Sequence, residues 1–403
     1  MTSDRLISAD SHINEAPDLW EARLPSALRE RGPRLVRTDD GNDVWVTEGL
    51  GPMPLMWATN AAGQREEGQP FEDHEMTITR EEMVRGSYDP EARLADMDVD
   101  GLEAEVLYPG PFGGLGAGGG VAGIPDPELR LAALRAYNDW LAEFCAVAPN
   151  RLIGLALIRL EEPDLAAAEI ERAAGLGLRG AVINAMPDTT GAEPLFSPAY
   201  ERVWSAAEEA GLPLSLHIGH CRSLAPLSDA SQRTETAEAG SSGNPLSASG
   251  TDTGLMEMFF TMVCLDMAEP VSLLIFSGVL ERHPNLRFAI AESGIGWIPF
   301  VIERMDYTFE RHRLWMKSGI PRKPSEYFHQ SFYATFQQDD ESGLLGRHIS
   351  GVDNLLWASD YPHTDSTWPY SRKVVDELFV GIPDDERAKI TAGNAARLYR
   401  LDA

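Results

Sequence analysis

The chain is short of cysteine, of positive charge and of long apolar runs. Only three cysteines, Cys145, Cys221 and Cys264, occur in 403 residues, far apart and with no C-x-x-C pair. That excludes a disulfide framework and a zinc knuckle. Lys and Arg total 34 against 63 Asp and Glu, a formal net charge of −29, so the surface repels phosphate backbones and argues against a nucleic-acid partner. No apolar run is long enough to cross a bilayer, and Met1–Leu6 lacks the charged-then-apolar pattern of an export signal. A soluble, cytoplasmic protein with no membrane partner is expected. A G-x-S-x-G elbow is also missing, and Cys221, although beside the histidines of "LHIGH", has no obvious partner base, which turns attention from protein nucleophiles to activated water.

What is present is 43% hydrophobic residues arranged in short runs. Eight read as strands: "RLISAD" near 5, "AEVLYP" near 104, "RLIGLALI" near 151, "GAVINA" near 180, "PLSLHIG" near 213, "RFAIAES" near 287, "FYATF" near 332 and "NLLWASD" near 354. Most are continuous rather than alternating, the pattern of strands covered on both faces. Helical patterns lie between them, including "DPELRLAALRAYNDWLAEFCAVAP" and "GWIPFVIERMDYTFERH". The alternation predicts a distorted (β/α)8 TIM barrel in one domain over 1–403, with a doubly wound open sheet as the other arrangement it allows. Residues 33–87, with a hairpin-like "DVWVTEG", and 221–255, rich in Ser, Gly and Thr, do not fit the repeat. They read as insertions at the catalytic face, although 230–250 also suits a plain surface loop.

Several strands end in groups that bind metals. Strand one ends in "ADSHINE", with Asp10 and His12 two apart and therefore able to point the same way. Strand five ends in "LHIGH" with His217 and His220, strand six in "IAESGIGW" with Glu292, and strand eight in "WASDYPH" with Asp360 and His363. Each alone has an ordinary structural role open to it, as a turn cap or a satisfied core histidine. Together they point to a metal, because a closed barrel brings those strand ends to one place.

The series D-x-H, the strand-five His, the acidic strand-six end with "GIGWIP", then "SDYPH" and a closing "GNAARLY", resembles the amidohydrolase superfamily. More narrowly it resembles the amidohydrolase-2 branch, which includes aminocarboxymuconate-semialdehyde and dihydroxybenzoate decarboxylases. The resemblance implies a divalent metal held by the first motif, His217 and Asp360. It also implies a catalytic histidine on strand six, where this chain has Glu292. With Asp10, His12, Glu15, His217, Glu292, Asp360 and His363 as candidate ligands, the set exceeds what one tetrahedral ion uses, so one or two divalent ions are expected, with iron favoured and zinc or manganese allowed. Glu292, Asp360 and His363 are the candidate catalytic groups, and Arg159, His220 and Arg222 the candidate substrate contacts.

The excess of carboxylates and the missing histidine favour metal-activated hydrolysis. The pattern is also similar to metal-dependent coenzyme A ester hydrolases of terpenoid tailoring, so cleavage of an acyl thioester is the expected reaction. Amide or lactone hydrolysis and non-oxidative decarboxylation of an aromatic or unsaturated acid are the alternatives; a silent scaffold is a third class. A basic run of Arg311, Arg313, Lys317, Arg322 and Lys323 is a candidate holder for coenzyme A phosphates, or else a solvated helix end. "GLGAGG" at 114–119 lacks the strand–turn–helix context of a nucleotide loop, and no nucleotide cofactor is expected. The substrate is expected to be a small acyl ester or acid, and the assembly a homodimer, with the aromatic-rich strand-six helix as one candidate interface.

Overall fold

The computed structural model describes residues 5–60, 62–63, 77–110, 112, 120–219, 255–338 and 341–401. Strands in chain order are β1 (Ile7–Ile13), β2 (Arg34–Arg37), β3 (Asp43–Val46), β4 (Met53–Pro54), β5 (Ala104–Pro109), β6 (Leu152–Leu157), β7 (Gly180–Ile183), β8 (Leu214–His217), β9 (Phe288–Ala291), β10 (Phe332–Phe336) and β11 (Leu355–Trp357). Eight of them form one parallel sheet in the order β1-β5-β6-β7-β8-β9-β10-β11. These are the eight runs read from the sequence, and the sheet curls into a nearly closed TIM barrel wrapped by helices.

The strands are buried along their whole length because both faces are covered. Ile7, Ala9, Val106, Tyr108, Ile153, Leu155, Ala289 and Ala291 belong to one apolar cluster joined by Ala395, Leu398 and Tyr399 of the C-terminal segment. Alternate strand residues such as Leu107, Leu152 and Ile290 pack with the helices in a second cluster. The helices are built as their sequences imply. Asp126 caps Pro127–Ala146 by accepting from the amides of Glu128 and Leu129, with Pro127 in the first turn. No described helix is long and apolar enough to cross a membrane.

β1 and β11 are joined by hydroxyls and a few backbone bonds rather than by a ladder. The register of β1 slips between Ser8 and Ser11. There, Ser8 Oγ lies 2.8 Å from Ser11 Oγ and takes a bond of 2.8 Å from the Ser359 amide. Beyond it, the Asp360 amide donates to Asp10 O at 2.9 Å and the His12 amide to Tyr361 O at 2.6 Å. The seam therefore places the candidate metal-binding ends of β1 and β11 side by side.

β2, β3 and β4 form a separate antiparallel sheet, where the sequence suggested a hairpin. The segment after it rests on the seam. Asn14 Nδ2 donates to Thr59 O at 2.9 Å, the Thr364 amide to Ala58 O at 2.9 Å, and the Ala62 amide to Pro362 O at 3.0 Å. The described part of the 33–87 insertion thus forms a wall beside the strand ends.

Candidate metal centre

β1, β8, β9 and β11 deliver Asp10, His12, His217, Glu292, Asp360 and His363 to the C-terminal mouth of the barrel. Two groups of ligand atoms lie within 4.8 Å of one another: Asp10, His12 and His217, and His12, Glu292, Asp360 and His363. His12 Nε2 is 3.2 Å from Asp360 Oδ1, 3.7 Å from Asp10 Oδ1 and 3.9 Å from Glu292 Oε2. His217 Nε2 is 3.1 Å from Glu292 Oε2 and 3.8 Å from Asp10 Oδ1.

Asp10 Oδ1, His12 Nε2, His217 Nε2 and Asp360 Oδ1 are all buried and make no well-aligned hydrogen bond, only the close ionic approaches just given. Unmet buried polar atoms cost about 1–3 kcal/mol each, more when charged. Gathered in two ligand groups that share His12, such atoms are costly as protein alone and well matched to a cation with oxygen and imidazole ligands. The far side of each imidazole is held as a ligand requires. His12 Nδ1 lies 3.3 Å from Pro109 O and His217 Nδ1 2.8 Å from Ile218 O, so each Nδ1 donates to a carbonyl and Nε2 is left for a metal.

Proton affinities across the cluster diverge. Burial, reinforced by the charge of His363, pushes the His12 imidazolium down to about 4, so His12 is neutral at pH 7. Burial raises the Asp10 carboxyl to about 7 against the opposing pull of His217. Burial also disfavours charge on His217, but Glu292 and Asp10 outweigh it and lift the group to about 9. His363 follows the same logic, lifted to about 9 by Asp360, whose Oδ2 lies 3.0 Å from His363 Nδ1. Asp360 is held well below the usual carboxylate range, its burial outweighed by His363 and His12. In the metal-free protein, protons on His217 and His363 supply the positive charge that the carboxylates attract.

Glu292 and Asp360 both adopt left-handed backbone, at φ 54° and 62°. Such strain collects at functional sites, where the surroundings hold it in place. Here the holders are Asp10 O, which takes the Asp360 amide, and Thr335 Oγ1, which takes the Glu292 amide at 3.0 Å.

Other expected residues lie elsewhere. Glu15 belongs to neither ligand group among the described residues. The chain has left β1 by Glu15, which lines a cleft of about 300 Å³ with Asn14, Trp45, Met83 and Phe112. Arg159, after β6, bonds Glu161 and lines a cleft against the outer helices with Arg130 and Leu134. His220, Cys221, Arg222, the 114–119 glycine stretch and nearly all of 221–255 lie outside the described residues. Cys145 is buried among apolar groups, and burial pushes its thiol up to about 12.

Sequence reading missed Arg93, on the helix Pro90–Asp100, and its partner Glu105. Arg93 is fully buried, bonds Glu105 through Nε, donates from Nη1 to His12 O at 2.8 Å, and lies 4.4 Å from the Tyr361 ring centre. The Asp-capped, Pro-started helix that opens in "SYDP" was its only signal.

The basic run does not serve this site. It starts in the last third of the helix Ile298–Met316, about 20 Å along from the strand-end face where that helix begins. There Lys323 pairs with Glu310 at 2.5 Å, Arg322 lies 4.2 Å from the Tyr327 ring centre, and Arg313 5.1 Å from that of Phe309.

The family profile described as Amidohydrolase matches residues 10–401. A gamma-resorcylate decarboxylase of Rhizobium sp. (strain MTP-10005) is 28% identical over 322 residues, covering 77% of this chain and 87% of that enzyme. Among solved structures, an amidohydrolase from Mycobacterium avium subsp. paratuberculosis K-10 superposes with a TM-score of 0.72 at 21% identity, covering 99% of this chain and 100% of its own. A dihydroxybenzoic acid decarboxylase from Polaromonas sp. JS666, with bound manganese and the inhibitor 2-nitroresorcinol, superposes with a TM-score of 0.62 at 19% identity, covering 99% and 98%. These relatives correct the expected acyl-thioester hydrolysis: the enzymes this chain resembles in sequence are decarboxylases. The basic run, paired with its own neighbours on the far part of its helix, gives coenzyme A no support. The expected preference for iron has no support either, since the bound metal of the Polaromonas enzyme is manganese.

Proposed function

Because the chain belongs to the Amidohydrolase family, we propose that it is a metal-dependent, non-oxidative decarboxylase of a small aromatic carboxylic acid. The observation that carries this reading is the gathering of buried, unbonded ligand atoms of Asp10, His217 and Asp360 around His12, in two ligand groups that share it, at the mouth of a barrel similar in sequence to decarboxylases. One ion fits better than two. Both ligand groups draw on His12, and its Nε2 has a single lone pair. The oxygen-rich donor set suits manganese, with zinc or iron as substitutes.

When bound, the divalent ion supplies Lewis-acid charge that anchors the substrate carboxylate and a neighbouring oxygen. His12 and His217 present Nε2, kept in the right tautomer by Pro109 O and Ile218 O. The chain must then deliver one proton to the ring carbon that bears the carboxylate. As that C–H bond forms and the C–C bond breaks, the bonding pair returns to the ring and carbon dioxide leaves. The Asp360–His363 pair would supply the proton, with Asp360 Oδ2 fixing the imidazole through Nδ1. Glu292, whose side chain is 24% exposed, is the most open member of the cluster and the one a substrate would meet first.

We place the enzyme in the cytoplasm as a homodimer. Support for self-association is the exposure of Phe300, Leu314, Trp315 and Met316 on one helix, and sedimentation of Trp315→Asp against wild type tests it. The reaction is tested by loading metal-free protein with Mn2+ and assaying hydroxylated aromatic acids for carbon dioxide and the decarboxylated ring. Metal-dependent release from any member supports the reading. Metal loading without release across mono- and dihydroxybenzoates would sink it.

A further inference from the structure

β10 contributes no atom to either ligand group, yet Thr335 on it touches two of the strands that do. Thr335 is buried, and its hydroxyl donates to Asp10 Oδ2 at 3.1 Å while accepting from the Glu292 amide at 3.0 Å. A threonine hydroxyl has one proton to give, and here it goes to Asp10. Asp10 Oδ2 is thereby engaged, and Oδ1 alone is turned toward His12 and His217. The same oxygen holds the Glu292 amide, and with it the left-handed backbone that aims the Glu292 carboxylate at His217.

We propose that Thr335 is a positioning residue that makes Asp10 a one-oxygen ligand and fixes the spacing between the Asp10 and Glu292 carboxylates. The inference rests on the metal reading above but not on the reaction. Two carboxylates from different strands, both free to rotate, would lose conformational freedom on meeting a cation. A hydroxyl bridging their two strands removes that cost in advance and prevents Asp10 from swinging to two-oxygen binding.

The test titrates metal-free protein with Mn2+ by calorimetry and follows the Mn2+ electron paramagnetic resonance spectrum, for wild type, Thr335→Val and Thr335→Ser. Valine keeps the shape and neither donates nor accepts; serine keeps both bonds. Thr335→Val is expected to weaken Mn2+ binding by about 10–100-fold, the usual range for groups that orient a ligand, and to change the spectrum. Thr335→Ser is expected to retain wild-type affinity and spectrum. If Thr335→Val binds as tightly as wild type, or if Thr335→Ser is weakened equally, the proposal is overturned, and a loss confined to the melting temperature of the metal-free protein would mark Thr335 as structural only. If wild type itself takes up no Mn2+, the metal reading fails first and the Thr335 role falls with it, an outcome distinct from tight binding in every variant.

Discussion

Two buried charged clusters meet at β1 and treat their charges in opposite ways. Around Arg93 and Glu105 the charges are answered by protein: Arg93 bonds Glu105, His12 O and Gly86 O and lies against Tyr361, with only Nη2 left over. Around Asp10, His12, His217 and Asp360 each facing atom lacks a hydrogen bond, and the carboxylates crowd one another. The first arrangement is a scaffold that removing a member would break. The second is a site that removing a member would relax. Burial and charge alone do not separate them; the fate of each polar atom does.

The largest contrast should come from removing Asp360. Asp360→Ala is expected to eliminate metal retention and reduce carbon dioxide release by more than about a hundredfold, since Lewis-acid stabilisation is worth several kcal/mol. Metal content after gel filtration and single-substrate rates check this, and a variant retaining both would break the comparison. Next is Arg93→Met, expected to cost about 3–5 kcal/mol of folding stability by stranding Glu105 without a counter-charge. Urea unfolding of the metal-free protein measures it. Pairing the change with Glu105→Gln should recover much of the loss, because no buried charge is then left uncompensated. Smaller and opposite in sign is Asp10→Asn. The folded-state pKa of Asp10 is raised to about 7 by burial, so its ionisation favours the unfolded chain, and stability is lost as pH rises through that value. The metal-free Asn variant should therefore melt higher than metal-free wild type above pH 7, and the order should reverse when Mn2+ is added.

What could be read in advance follows the same division. The eight strands were legible because a parallel strand covered on both faces must be a continuous apolar run, as in "RLIGLALI". The candidate ligands were legible as a group because Asp10, His217, Glu292 and Asp360 stand at the ends of such runs, which the barrel brings to one mouth. Glu15 was misplaced because sequence spacing cannot show where β1 stops and the chain turns to line a side cleft. The reaction was misread because an acidic strand-six end was weighed as a sign of hydrolysis, whereas similarity across 77% of the chain ties it to decarboxylases. Arg93 and Thr335 were invisible for a different reason. An arginine on a helix and a threonine in "FYATF" carry no pattern, and their meaning lies in partners 12 and 325 residues away.

The smallest effect sharpens the comparison most, because it asks what fills the unmet site before a metal arrives. His217 keeps its proton to about pH 9 in the metal-free protein, and Asp10 to about 7. Both folded-state values are raised, so the metal-free state holds protons that a cation must displace, and affinity must climb with pH. Between pH 7 and 9 at least one proton, from His217, should leave for each ion bound, and log K should rise by at least about one per pH unit, more if the ion also displaces the proton of His363. Below pH 7 a second, from Asp10, should join it and steepen the slope, while His12, neutral down to about 4, contributes nothing. Calorimetry in buffers of different ionisation enthalpy counts these protons. A flat profile would mean that the carboxylates are not held together by imidazolium charge, and the contrast with the self-satisfied Arg93–Glu105 pair would lose its physical basis.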